Sequence, residues 1–595
     1  MELAAGFTPV TRDDWRELAA AVLRKSGVEA GSPEEALSTP TYDGLTIAPL
    51  YDQDDLPGDP GLPGAPPYVR GARAATGWDV RQRHAAPDPE AVLADLENGV
   101  TSLWLVVGEE AIPPGALARV LKDVHLDLAP VVLEAGERTR EAAEALLALA
   151  AARGVAPAGN LGGSGAAGAE LAVRCAAGFP GLRAVTVDAT PWHDAGGSDA
   201  EELGCSIARG VAELRALTGA GLSVEQALGQ IEFRYAATDD QFATIAKLRA
   251  ARRMWARVAE TCGAPAHGGQ RQHAVTSSAM MTARDPYVNL LRTTVACFAA
   301  GVGGADAVTV QPFDAALGLP DAFSRRIARN TQSLLLEEAH LARVLDPAGG
   351  SWYVERRTAD LAERAWAWFQ EIEAAGGADA ATGLVAERIA ATRARRAADI
   401  AHRRFPITGV SEFPDPDGKP VRRRGPGIAG PRYSQDFEAL RDLADAQAER
   451  PRVFLATIGP AAAHTARAAF AANLFRAGGL ATESAGPGTD PERIAAAFAA
   501  SGARVACLCS SDKLYAEHAA AVAAALRRAG ARRVWLAGKG DHDGVDANLY
   551  AGCDALRVLR TTFRDTLDDP PAGLLGDDPP GDVPGDLPDD LGVTR

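Results

Sequence analysis

The strongest constraint on this chain is a rhythm. Between about Val92 and Gly376, short apolar runs alternate with amphipathic stretches of helical period. The runs are SLWLVV, PVVLEA, LRAVTVDA, IEFRYAA, HAVTSS and DAVTVQPF. The stretches between them include EAAEALLALAAARG, ELGCSIARGVAELRALTG and DQFATIAKLRAARRMWARVAE. Near-continuous apolar strands separated by helices pair in parallel and are covered on both faces. A block this long favours a closed (β/α)8 barrel over an open sheet. The expected fold class is therefore α/β, with a TIM barrel over 91–377 followed by a smaller doubly wound domain. Polar residues gather just after the strands, in DATPWHDAGGSD and QPFDAALG, where barrel enzymes place their chemistry.

The remaining segments follow from composition. Residues 1–90 hold one amphipathic helix, WRELAAAVLRKSG, and a Pro-, Gly- and Asp-rich stretch that cannot form regular elements. Tyr42, Leu45, Ile47, Leu50 and Tyr51 recur in it as apolar anchors. Trp15 to Arg70 is expected to lie outside the barrel and wrap a partner, its apolar side chains unburied in the lone chain. Residues 378–451 form a helical linker, with FPDPDGKPVRRRGPGIAGP extended and solvated. From 452 to 566 the runs VFLATI, RVACLC, RRVWLAG and ALRVL read as strands of a flavodoxin-like unit. Residues 567–595, acidic and proline-rich, are expected to be disordered.

Composition excludes several classes. The formal net charge of −17 argues against nucleic acid and anionic membranes, and Arg422–Arg424 reads as a solvated linker. No apolar run is long enough to span a bilayer, and no secretory signal is read. Seven scattered cysteines without a CxxC pair suggest reduced thiols in a cytoplasmic protein, with no metal site.

Two motifs invite chemistry. Gly163-Ser164-Gly165-Ala166-Ala167-Gly168 matches GxGxxG, with Asp188 placed to hold a ribose, which would make a dinucleotide site. Pro157 interrupts the segment before it, so a mobile loop at the barrel mouth is the favoured reading. His193, in TPWHDAGGSDAEE, follows a strand beside Asp194 and Asp199. It could serve as a general acid or hydrogen-bond donor, or simply precede a helix capped by Ser198 or Asp199. The tryptophans of RRMWARVAE and RAWAWF fall at helical spacing and read as core or interface.

The segments TPTYDGLTIAPLY, PPYVRG, GWDVRQRH, TSSAMMTARDPYVNLLRTTVACFAAGVGGADAVTVQPFDAALGLP and RIARNTQSLLLEEAHLARVLDPAGGSWYVE resemble the methylmalonyl-CoA mutases. The resemblance covers nearly the whole chain. It implies a CoA-binding barrel joined to a cobalamin-binding flavodoxin-like domain. It also implies isomerisation of (R)-methylmalonyl-CoA to succinyl-CoA by a radical from adenosylcobalamin.

Carried over residue by residue, most of the family's functional groups fail. The family's G-x-D-x-H-x-x-G loop, aligned on Gly459, gives Ala461 for the aspartate, Ala463 for the cobalt-ligand histidine and Ala466 for the last glycine. His464 is one position late and is expected to be solvated. The family's S-x-L falls on Cys509-Ser510-Ser511, and its Gly-Gly on Ala537-Gly538. The tyrosine and arginine that precede the residue matching Trp78 have no counterpart. His193 is the one matched substrate-site position, aligned with the histidine that hydrogen-bonds the thioester carbonyl.

These departures are like those of the small, or β, subunit of the heterodimeric enzymes. The expectation is a non-catalytic partner of a large subunit that itself binds adenosylcobalamin and the acyl-CoA, with no catalytic, cofactor or metal residue on this chain. A mutase active in its own right and a nicotinamide enzyme using the GxGxxG segment are the alternatives.

Overall fold

The computed structural model describes residue 6 and residues 10–575. Most of the segment expected to be disordered, 576–595, lies outside the described residues. Eight parallel strands close into a barrel: β1 Asp79–His84, β2 Ser102–Val106, β3 Val131–Glu134, β4 Gly159–Gly163, β5 Leu182–Asp188, β6 Ile231–Ala237, β7 Arg271–Thr276 and β8 Ala307–Thr309. β8 pairs back onto β1, Ala307 opposite Asp79.

Two of these strands escape the apolar-run criterion. β1, DVRQRH, is polar, and it places the barrel's start at Asp79 rather than near residue 91. β4, GNLGG, is glycine-rich for a packing reason. A β-carbon at Gly159 would lie 1.9 Å from the Val131 carbonyl oxygen, and one at Gly162 would lie 2.0 Å from that of Leu133. The GxGxxG segment is thus no loop: it ends a strand and opens the helix Gly165–Gly178.

The barrel's outer helices bury Trp255 and Trp368, each 1% exposed, so these two are core. The helix Thr382–Ala401 follows and packs against the barrel, Thr392 donating to Glu201 at 2.8 Å. The linker beyond it is largely exposed, Arg422 and Arg424 included, but it is tethered to the barrel at several points. Arg423 pairs with Asp314 and, at 3.2 Å, with Asp321; Leu319 and Ile428 donate to Arg424 and Ala315 carbonyls at 2.8 and 2.9 Å.

The second domain carries five parallel strands: β9 Arg452–Thr457, β10 Ala481–Ser484, β11 Val505–Cys509, β12 Arg533–Ala537 and β13 Ala547–Leu549. Their order, β10-β9-β11-β12-β13, is the flavodoxin-like one. ALRVL is not a strand. It starts the helix Ala555–Thr566, whose N-terminus Asp554 caps by accepting from the Arg557 N–H at 2.9 Å. Beyond it a short turn, Ala572–Leu575, buries Leu575 against this domain, so order extends past residue 567.

The N-terminal segment divides. The helix Arg12–Lys25 buries none of its residues, and Leu18 and Val22 are 70% and 65% exposed. The stretch after it lies on the chain's own surface. Tyr42 donates to Asp399 at 2.8 Å, Asp43 accepts from the Ala200 N–H at 2.7 Å, and the rings of Tyr51 and Tyr353 lie 5.1 Å apart. Tyr68 and Val69 are buried, their carbonyls held by Arg252.

Candidate functional site

His193 lies in a short helix, Thr190–Asp194, immediately after β5, and is buried. Its Nε2 is 2.7 Å from the Ser277 hydroxyl, just past β7, and its Nδ1 is 3.8 Å from Glu202. Asp194 and Asp199, its neighbours in sequence, are not its partners. Asp199 and Glu202 both serve Lys247, at 2.9 and 2.7 Å; Lys247 and Glu202 are sealed from water, and Asp199 is part-buried. Glu202 also accepts from the Ala236 N–H of β6 at 2.9 Å. Ser198 caps the helix Asp199–Gly219, as its position suggested.

The electrostatics of this cluster are set by burial. Desolvation, helped by the Lys247 charge, pushes the His193 pKa down to about 3, so the imidazole is neutral. Desolvation pushes Glu202 up to about 7 against the pull of Lys247. Burial also works against the Lys247 ammonium, but the two carboxylates outweigh it and hold its pKa above the ordinary lysine value. A neutral imidazole can donate one hydrogen bond, yet the Nε2 of His193 is already engaged by Ser277.

The barrel axis is filled by long side chains. Arg81 of β1 donates to Glu232 of β6 at 2.7 Å and to Ser102 of β2 at 3.1 Å. Arg234 donates to Asp188 at 2.7 Å and to His273 Nδ1 at 3.2 Å, with its guanidinium 4.0 Å from the Trp104 ring centre. His273 in turn lies 2.8 Å from the Thr309 hydroxyl. These contacts join opposite walls of the barrel through its middle. Lys247, Arg81, Arg234 and Ser277 are absent from the expected site. Arg234, in the apolar run IEFRYAA, could have been flagged, because an arginine is rarely buried without a partner; Arg81, in the polar DVRQRH, and Ser277 carry no such signal.

The GxGxxG segment presents a helix N-terminus, but its first amide is taken. Both carboxylate oxygens of Glu213 lie within reach of the Gly165 N–H, at 2.9 and 3.1 Å. An anion already occupies the position that a pyrophosphate would use. Asp188 is committed to Arg234 and to Thr190, whose N–H and hydroxyl donate to it at 3.0 and 2.7 Å.

In the second domain the strand order reverses between β9 and β11, the position at whose strand ends doubly wound sheets form a ligand crevice. Ser510 closes it by donating to the Ile458 carbonyl at 2.7 Å. Arg467 lies across it, donating to the Ser510 carbonyl and to Asp512, each at 2.7 Å, with its guanidinium 5.2 Å from the Tyr515 ring centre. A β-carbon on Gly538 would meet that guanidinium at 3.1 Å. The Tyr515 hydroxyl accepts from the Ser510 N–H and donates to the Ala537 carbonyl, both at 2.8 Å.

Ala461 and Ala463 open the helix Ala461–Ala477 and bring methyl groups to the crevice's first turn. His464 is not solvated: it is 9% exposed, and neither ring nitrogen has a hydrogen-bond partner among the described residues. Burial lowers its pKa below the ordinary histidine value.

Residues 160–478 match the family model for methylmalonyl-CoA mutase. The chain is 57% identical to the methylmalonyl-CoA mutase small subunit of Streptomyces virginiae, over 95% of this chain and 98% of that one. It is 46% identical to the probable small subunit of Mycobacterium tuberculosis (strain ATCC 25618 / H37Rv), over 89% and 92%. It is 40% identical to the small subunit of Propionibacterium freudenreichii subsp. shermanii, over 95% and 96%. No helix among the described residues is long and apolar enough to cross a membrane. With its closed parallel barrel, its flavodoxin-like second sheet and these relatives, the chain belongs to the cobalamin-dependent methylmalonyl-CoA mutase family of isomerases, on the side of its small subunits.

Proposed function

We propose that this chain is the non-catalytic partner of a large subunit, and that the large subunit alone binds adenosylcobalamin and converts methylmalonyl-CoA to succinyl-CoA. The observation that carries the reading is the crevice of the second domain. Ala461 and Ala463 stand where an aspartate and a cobalt-ligand histidine would be needed, and Arg467, anchored on Ser510 and Asp512, lies where a nucleotide tail would enter. The residues present do not fit cobalamin. The barrel supports the same reading, since Arg81, Glu232 and Arg234 fill its axis and His193 spends its Nε2 on Ser277.

The retained fold then serves to hold the partner. The outer face of the helix Arg12–Lys25, with Leu18 and Val22 unburied, is the surface offered to it. The seven unpaired cysteines fit a reducing, cytoplasmic setting.

The test is direct. The purified chain is mixed with adenosylcobalamin, and the absorption spectrum and bound stoichiometry are read. It is then co-expressed with the large subunit from the same source, and size and mutase activity are measured. The expected result is no uptake by the lone chain and an active heterodimer. Stoichiometric base-off binding by the lone chain would favour a mutase active in its own right and sink this proposal.

A further inference from the structure

A cavity of about 140 Å³ lies between the ends of β1 and β8, roofed by the linker at Pro426 and Ile428. It is separate from the His193 cluster and from the second domain's crevice. Its walls are mostly apolar, with Ala85, Val310, Ala315 and Ile428 among them. Polar groups break that lining, Gln82, His84 and Arg325 among them. Gln82 is 2% exposed, and its carboxamide oxygen has no hydrogen-bond partner among the described residues. His84 is 5% exposed, with Nε2 3.4 Å from Asp95. Arg325 and Arg83 are the cations of the lining, and Arg83 already pairs with Glu134 at 3.5 Å.

The charge balance favours an anion. Asp95 gives one carboxylate oxygen to Arg329 at 2.5 Å, and its other oxygen lies 3.9 Å from Arg325, beyond hydrogen-bond reach. The other contact of Arg325 is a neutral carbonyl, that of Pro320, at 3.1 Å. Asp88, also at the cavity, spends a carboxylate oxygen on the Ala91 N–H. Burial, with help from Arg325, pushes His84 down to about 4, so it adds no second positive charge. Buried polar groups without partners in a cavity of this kind mark where a ligand's polar end would sit. The apolar walls suit a hydrocarbon body, and the volume suits about six non-hydrogen atoms.

We propose that this cavity binds a short-chain monocarboxylate, with its carboxylate on Arg325 and the Gln82 carboxamide and its hydrocarbon body against Val310, Ala315 and Ile428. The carboxamide can turn its amine toward the carboxylate. Because Pro426 and Ile428 form the roof, the bound acid holds the linker onto the barrel, next to the basic run Arg422–Arg424.

Sodium butyrate is the probe, titrated calorimetrically into the full chain up to about 10 mM, a range that covers weak binding. n-Butanol supplies the body without the charge, and inorganic phosphate the charge without the body. Saturable binding of butyrate, at least tenfold tighter than either control, is expected. Arg325→Gln and Ala85→Leu should each weaken it at least tenfold; the second narrows the cavity and leaves Arg325 in place. Butyrate should also slow tryptic cleavage after Arg422 and Arg424 in the parent chain and not in Ala85→Leu. No saturable binding, equal binding by both variants, or phosphate binding as tight as butyrate would overturn the proposal. If Ala85→Leu does not fold, as judged by its melting curve, Arg325→Gln and the two control ligands decide.

Discussion

Glu213, from the helix Asp199–Gly219, caps the first amide of another helix by placing both carboxylate oxygens 2.9 and 3.1 Å from the Gly165 nitrogen. The contact explains how a GxGxxG match can stand after a strand and before a helix without a nucleotide. Gly163 and Gly168 lie back to back, since a β-carbon on Gly163 would come within 2.8 Å of the Gly168 Cα. The glycines let this helix lie close on the barrel wall, and Glu213 supplies the negative charge its N-terminus favours.

Replacing that carboxylate therefore costs stability and gains no cofactor. Glu213→Ala leaves a part-buried N–H without its partner and should destabilise the barrel by about 1–3 kcal/mol, whereas Glu213→Gln keeps an acceptor and should cost less. Thermal melting orders the variants, and hydrogen exchange at the Gly165 amide localises the loss. NAD should give no saturable heat with the parent chain. A parent chain that binds NAD would show that Glu213 does not occupy the anion position.

The His193 cluster should balance two opposed pH dependences. His193 titrates near 3 in the folded chain and near 6.5 unfolded, so its contribution is complete above pH 6.5 and is lost as pH falls toward 3. Glu202 titrates near 7 folded and near 4.5 unfolded, so its contribution is complete below pH 4.5 and is lost as pH rises toward 7. Between pH 4.5 and 6.5 the two slopes oppose each other. His193→Asn should therefore make stability fall with rising pH across that window, and Glu202→Gln should make it rise, each by up to about 1.4 kcal/mol per pH unit. Melting temperatures of the three proteins against pH decide it; parallel profiles would refute the assignment.

What the sequence disclosed, and what it hid, divides along the range of the interactions. Six of the eight barrel strands are apolar runs because helices cover them, and that signal is local. β1 is hidden because Arg81 is satisfied by Glu232, far along the chain. β4 is hidden because its glycines answer the closeness of Val131 and Leu133, which only the closed sheet brings near. ALRVL imitates a strand for one turn, although Asp554 before it was a readable cap. At the site His193 was legible, but Ser277 and Lys247 were not, because the closure of the barrel makes those pairs. His464 is buried although the helix face it shares with Arg467 suggested solvent.

The N-terminal helix offers a test that separates folding from pairing. Leu18 and Val22 are 70% and 65% exposed, so Leu18→Ser/Val22→Ser should leave the melting temperature of the lone chain within the shift expected for about 0.5 kcal/mol. If this face meets the large subunit, the same change removes apolar area from an interface and should weaken the heterodimer at least tenfold. Sedimentation or titration with the large subunit reads the second quantity. Unchanged affinity would show that the partner docks elsewhere.

On the proposed reading, placing an aspartate and a histidine at 461 and 463 should not by itself create a cobalamin site. In Ala461→Asp/Ala463→His the aspartate and the histidine return to the first turn of the helix Ala461–Ala477. The crevice beyond them still holds Arg467, tied to the Ser510 carbonyl and to Asp512 at 2.7 Å each and lying over Tyr515. A nucleotide tail would have to displace that guanidinium and strip two charge-assisted or carbonyl-bound hydrogen bonds from it, a cost of a few kcal/mol at least. The double variant should therefore show no base-off spectrum with adenosylcobalamin at concentrations that saturate the heterodimer. Adding Arg467→Ala removes the obstacle, so uptake is expected first in the triple variant. Uptake by the double variant would mean that Arg467 yields readily, and that the two lost side chains, not the filled crevice, keep cobalamin off this chain.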